Sequence, residues 1–141
     1  MSNVRHRKPT MRITAGGILV QDGRILLGHR RANRNYYPGA WDIFGGHCEN
    51  GESPDQALVR ELVQELGVTA QRFERIGLFE EPNPQQYGPA QHHLFLVRDW
   101  IGQPSNVGCD EHDDIRWFTQ EELAGLELVS SKYVALFSGL L

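Results

Sequence analysis

Only two cysteines, Cys48 and Cys109, occur in the 141 residues. Two thiols make neither a disulfide framework nor a zinc site, so a reducing, cytoplasmic setting is expected. Long hydrophobic runs are missing too. Stretches such as residues 18–20 and 25–27 are far too short to cross a bilayer. No segment joins a basic start to an apolar core and a small-residue cleavage site, so no secretory leader is expected. Internal repeats and low-complexity linkers are absent, and the length suits one domain. The hydrophobic share of 40% and charged share of 23% argue against a disordered chain.

Lysine is scarce as well, two against twelve arginines, within a net charge of -4. Basic groups concentrate early: residues 1–34 carry eight (Arg5, Arg7, Lys8, Arg12, Arg24, Arg30, Arg31, Arg34) against one acid, Asp22. The remainder is strongly acidic and would repel a phosphate backbone over most of its surface, which excludes a nucleic-acid polymer as partner. A small phosphorylated ligand is a different matter. The planar guanidinium fork suits bidentate phosphate contacts, which makes Arg30, Arg31 and Arg34 candidates for one. Residues 1–10 read as a flexible basic tail and 11–141 as a single domain.

Two apolar runs, residues 11–20 and 24–28, flank Asp22-Gly23 and predict a β-hairpin. Ile43 and Phe44 form a short strand candidate ending in Gly45-Gly46, a pair suited to close backbone approach. The clearest helix covers 54–66: Ser53 is the N-cap, Pro54 fits the first turn, Gln56 completes a capping box and Gly67 stops it. Residues 68–80 and 92–100 read as strands around a Pro/Gly-rich loop, 82–90, with a further strand at 115–118. Thr119 and Glu122 begin a second helix. A third covers 132–140, with Tyr133, Val134, Leu136, Phe137 and Leu140 on one broad face. The pattern is α/β, a mixed sheet covered by helices.

On the first helix Leu58, Val59, Leu62, Val63 and Leu66 fall within one arc that must face the core. Glu61 and Glu65 lie on its border, one turn apart, pointing the same way. Neither has a basic partner at helical spacing, and like charges so placed cost a few tenths of a kcal/mol. A local rule broken without local compensation often marks a functional site. A hard divalent cation would remove the penalty.

Residues 45–68 read GGHCENGESPDQALVRELVQELGV. This resembles the box of the Nudix hydrolases, G-x5-E-x7-R-E-U-x-E-E-x-G-U with U aliphatic. Gly46, Glu52, Arg60, Glu61, Leu62, Glu65, Gly67 and Val68 match in register, eight of nine fixed positions. The departure is Gln64, where the family has the first of two adjacent glutamates. WDIFGG also resembles the family's lead-in, although Phe44 stands where proline is common.

The resemblance implies a Nudix-type α/β/α sandwich over residues 11–141. It also implies Mg²⁺- or Mn²⁺-dependent hydrolysis of a pyrophosphate linkage in a nucleoside triphosphate or related nucleoside diphosphate derivative. An ADP-ribose or nucleotide-sugar pyrophosphatase is the alternative within the class, and a non-catalytic nucleotide-binding module the alternative outside it. By position, Glu61, Glu65 and the Gly45 carbonyl would be metal ligands. Arg60 would brace the catalytic loop by pairing with an acid such as Glu52. Gln64 would offer an uncharged amide oxygen. Replacement acids would come from Glu49 or Glu52, or from Glu111, six residues before Trp117, as a further ligand or the base that orients water.

Tyr36, Tyr37, Trp41, Phe79 and Tyr87 are stacking candidates for a nucleobase, with Tyr37 preferred. His92 and His93 open a strand on alternate faces, and His93 is carried as the substrate contact. Cys48 has no partner arrangement for nucleophilic catalysis. Many relatives are dimers, so a homodimer stays open, though no stretch reads as an interface.

Overall fold

The computed structural model describes residues 11–141, so the expected tail at 1–10 lies outside the described residues. Eleven elements follow in order: β1 (Arg12–Gln21), β2 (Arg24–Arg30), β3 (Trp41–Asp42), β4 (Phe44–His47), α1 (Pro54–Leu66), β5 (Thr69–Glu80), α2 (Pro84–Tyr87), β6 (Ala90–Ile101), β7 (His112–Phe118), α3 (Gln120–Leu123) and α4 (Lys132–Leu140).

The hairpin forms as its dipeptide demands. Val20 pairs with Ile25 and Gln21 with Arg24, while Asp22 and Gly23 both take positive φ, 53° and 72°. Two left-handed residues give the turn whose twist matches the flanking strands. The sheet runs β3-β2-β1-β6-β5, with β4 also on β1 and β7 also on β2. β1 and β6 are parallel and the other pairs antiparallel, which makes the sheet mixed.

Each face has its own core. On one, Leu19, Leu26, Phe44, Phe95 and Val97 pack against Leu58, Leu62 and Leu66 of α1. On the other, Ile18, Ile25, Leu27, Leu94 and Phe118 meet Leu123, Tyr133 and Phe137 from the C-terminal helices. Each fully buried Leu or Phe contributes roughly 1.5–3 kcal/mol, so helices are held on both sides. The α/β/α sandwich is therefore as expected. Among the described residues no helix is long and apolar enough to cross a membrane.

α1 has its capping box, with Ser53 and Gln56 bonding each other's backbone, and Gly67 closes it at φ 71°. The buried stripe differs from the simple apolar arc. Val63 is 47% exposed, whereas Ala57, Leu58, Leu62, Glu65 and Leu66 are buried. The helix is rotated so that a carboxylate, not a valine, faces inward. Val134 of α4 is exposed too: Tyr133 and Phe137 are buried against the sheet, with Leu136 and Leu140 partly buried beside them. The 82–90 loop contains the short α2. Ile43 falls between β3 and β4.

Candidate active site

β4 is pressed against β1 at Gly16 and Gly45. The absence of a side chain lets the Gly45 N–H donate to Glu65 Oε1 at 2.9 Å. Gly46 serves a different neighbour. A Cβ there would lie 2.6 Å from Glu61 Oε1. The glycine pair therefore brings bare backbone against both acids of α1.

Arg60 organises the loop between β4 and α1. Its Nε and Nη2 grip the two Glu52 oxygens at 2.8 and 2.9 Å, and Nη2 also donates to the His47 carbonyl at 3.0 Å. The pair holds the Glu52 carboxyl down at about 2. Nη1 donates to Glu61 Oε1 at 2.8 Å, so Glu61 does have a basic partner within the helix. Adjacent helical residues do not face one another, but the long arginine stem reaches around. The same Nη1 donates to Gln64 Oε1 at 3.2 Å. Gln64, carried as a metal-ligand candidate, is exposed and does not line the cavity, and its amide oxygen is engaged by Arg60.

A cavity of about 360 Å³ opens beside this loop. Its wall carries Glu61, Glu111, Gly45, Gly46, Arg30, Arg34 and Tyr37, and also Tyr36, Ile43, Leu94, Val129, Tyr133, Asp42, Glu81 and His92. Such a size and mixture suit a small ligand with one charged and one flat apolar part. Arg30 is buried and bridges sites: Nη1 lies 3.3 Å from Glu111 and 3.9 Å from Asp42, while Nε donates to the Tyr36 carbonyl. Arg34 Nε is buried with no partner among the described residues.

Arg31 and His93 do not line this cavity. Arg31 follows the end of β2 and turns away, its Nε donating to the Cys109 carbonyl at 2.5 Å. On β6 the alternation places His92, not His93, on the cavity side. His92 Nδ1 contacts Thr14 Oγ1 at 2.6 Å and Nε2 lies 3.2 Å from Glu81. His93 sits on the other face beside Arg75.

Tyr37 is a wall residue held in a rare conformation, φ 48°. Its hydroxyl donates to the buried Glu81, which also accepts from the Asn83 N–H. Burial and the Glu81 carboxylate push the phenol upward, so it remains a donor. Glu81 carries no distinguishing spacing in the sequence: it is one of two adjacent acids, with Glu80, at the end of β5.

Glu65 is 4% exposed, and among the described residues its Oε2 has no hydrogen-bond partner. Loss of water, with Glu111 and Glu61 nearby, drives its carboxyl well above the usual range. His112, also missed from sequence, is 1% exposed, with Nδ1 3.5 Å from Glu65 Oε2. Burial lowers its imidazole to about 4. Donor atoms of Glu65, Glu111 and His112 all lie within 4.8 Å of one another. A buried, unpartnered carboxylate oxygen beside other acids is what a hard cation would satisfy, so the donor set fits a divalent metal.

A family profile described as the NUDIX domain matches residues 10–137. The chain belongs to the Nudix family. It is 32% identical over 108 residues to the oxidized purine nucleoside triphosphate hydrolase of Danio rerio, covering 75% of this chain and 65% of that protein. It is 29% identical over 136 residues to nucleoside triphosphatase NudI of Salmonella paratyphi B, covering 88% of this chain and 94% of that one. The MutT NUDIX hydrolase of Burkholderia pseudomallei superposes with a TM-score of 0.83 at 25% identity, over 94% of this chain and all of the other.

The Asp42 carboxyl on this Nudix cavity wall is raised to about 7, chiefly by loss of water, with Arg30 opposing. A carboxyl raised on folding stabilises below its unfolded value of 3.8 and loses that contribution as pH climbs through about 7. Asp42→Asn keeps an acceptor for the Ile43 N–H. Urea unfolding should therefore show the variant gaining on wild type by on the order of 1–3 kcal/mol between pH 5 and pH 8.5. A pH-independent difference would contradict a neutral Asp42.

Proposed function

We propose that this Nudix-type pyrophosphohydrolase hydrolyses a pyrophosphate linkage in a nucleoside triphosphate, with bound Mg²⁺ or Mn²⁺. The observation that carries the reading is the convergence of Glu61, Glu65 and Glu111 around bare Gly45–Gly46 backbone, beside the guanidiniums of Arg30 and Arg34. The names of the zebrafish and Salmonella relatives support a triphosphate.

Glu61, Glu65, Glu111 and the Gly45 carbonyl would hold the cation. When bound, it offsets phosphate charge and acidifies water. Glu111 lies on the cavity wall and accepts the proton of the attacking water. Arg34 presents donors to a phosphate, and Arg30 keeps Glu111 oriented. Arg60 holds the loop and Glu61 in place. The Tyr36, Tyr37, Ile43, Leu94 and Tyr133 wall receives the base and excludes water, with Asp42 able to bond the base edge.

The test is product analysis with purine, oxidised purine and pyrimidine triphosphates, ADP-ribose and nucleotide sugars, in Mg²⁺, Mn²⁺ or EDTA. Turnover of a triphosphate that EDTA abolishes is expected. Turnover of nucleotide sugars or ADP-ribose alone, or none at all, would overturn the reading.

A further inference from the structure

His112 is the buried group for which the reaction has no direct use. It opens β7, and its position depends on a fault in the sheet. From Ile25–Phe118 to His29–Asp114 the β2–β7 pairing steps evenly, then Arg30 pairs with His112 and Asp113 is skipped. Opposed residues on an antiparallel pair share a face. Even pairing would place Asp113 on the face of Gly28, Arg30, Ile115 and Trp117, toward α1. The bulge gives that face to His112 and sends Asp113 out to His29, 2.7 Å away. A bulge disrupts the ladder locally and re-aims a side chain, and such faults gather beside active sites.

The ring then occupies a prepared space. A Cβ on Gly28 would fall 2.5 Å from His112 Cδ2, so only glycine there admits the imidazole without a shift. Phe44 covers it, with ring centroids 5.1 Å apart. Within this enclosure Nδ1, Nε2 and Glu65 Oε2 are all buried and have no hydrogen-bond partner among the described residues. Buried polar atoms left open cost about 1–3 kcal/mol each, and three of them adjoin. Glu65 Oε1 is already fixed by the Gly45 N–H. Neither His112 nor Glu65 lines the cavity; Glu111, whose donor atom lies within 4.8 Å of both, does, so His112 meets the buried Glu65 rather than a substrate.

We propose that His112 is a positioning residue: as the Nδ1–H tautomer it donates to Glu65 Oε2, so that Gly45 and His112 clamp the two oxygens of one carboxylate and present it to the cation in a single orientation. The present separation of 3.5 Å closes by a few tenths of an ångström to a hydrogen bond, within ordinary side-chain adjustment. Groups that orient a metal-binding side chain commonly change affinity 10–100-fold when removed.

The inference rests on the metal reading above, and its test separates the two. Mn²⁺ binding is followed by the EPR signal of the free ion in wild type, His112→Gln, which keeps an N–H donor, and His112→Leu, which does not. Expected are a 10–100-fold weaker affinity in His112→Leu and recovery to within about threefold of wild type in His112→Gln. Equal affinity in wild type and His112→Leu overturns the positioning role while leaving the metal site intact. Absence of Mn²⁺ binding in wild type overturns both. Should His112→Leu not fold, wild type decides. Long-range ¹H–¹⁵N spectra with Mg²⁺ are expected to show the Nδ1–H tautomer, and Nε2–H would refute the proposal. Pulsed EPR of bound Mn²⁺ is expected to lack coupling to an imidazole nitrogen. Such coupling, present in wild type and lost in His112→Leu, would make His112 a ligand and overturn it equally.

Discussion

Glu65→Gln is expected to lower metal-dependent turnover by about 10²–10⁴-fold while leaving the metal-free protein at least as stable as wild type. The two effects have one cause. The carboxyl at position 65 is 4% exposed and has Glu61 and Glu111 as neighbours, so burial and like charge both oppose its ionised form. Without a cation that arrangement costs free energy, which a neutral amide of nearly the same shape avoids. The amide oxygen can still accept the Gly45 N–H. What glutamine cannot supply is negative charge toward a cation. In EDTA at pH 8 the variant should unfold at the same or a higher temperature, and in Mg²⁺ it should scarcely turn over. Activity within threefold of wild type would remove Glu65 from the site. Equal loss of stability and activity would make it a packing residue. Strain held at a working site and relieved by an inactivating change is a common trade.

The elements were legible wherever a local rule decided them. Asp22-Gly23 dictated a tight turn, and Ser53, Gln56 and Gly67 dictated the limits of α1. The register of Glu61 with Glu65 followed from helical geometry, and Arg60's pairing with Glu52 lies where the resemblance implied it. The remainder depends on long-range placement. His112 could not be seen, because strict alternation from Ile115 and Trp117 assigns the α1 face to Asp113, and a bulge leaves no mark in composition. Strand alternation sets His92 and His93 on opposite faces, but which of them faces the cavity follows from the pairing of β6 with β1. Arg60 and Gln64 are i,i+4 neighbours whose contact helical spacing could have shown, whereas the Cys109 carbonyl that holds Arg31 lies 78 residues away and beyond the reach of spacing. Val63 shows the limit of hydrophobic patterning: the orientation of α1 buries Glu65 and leaves the valine in water.

Gly45→Ala should be the most damaging small substitution in and around β4, costing upwards of about 3 kcal/mol of stability. A methyl at that Cα would stand 1.9 Å from the Ala15 carbonyl oxygen and 2.7 Å from Gly16 Cα, both backbone atoms of β1. A side chain could swing away, but β1 cannot: it is held by β6, β2 and β4 together. Relief must come from β4 lifting off β1, which also withdraws the Gly45 N–H from Glu65. Gly51 provides the control. It lies in the loop that follows β4, with φ 78°, and no described residue stands within 4 Å of its would-be Cβ. Alanine there bears only left-handed strain, about 1–2 kcal/mol. Urea denaturation of the two variants separates the causes: a much larger loss at position 45 assigns the glycine to close approach of two strands. Equal losses would mean that β4 is free to move, and that the backbone donor fixing Glu65 is not rigidly placed.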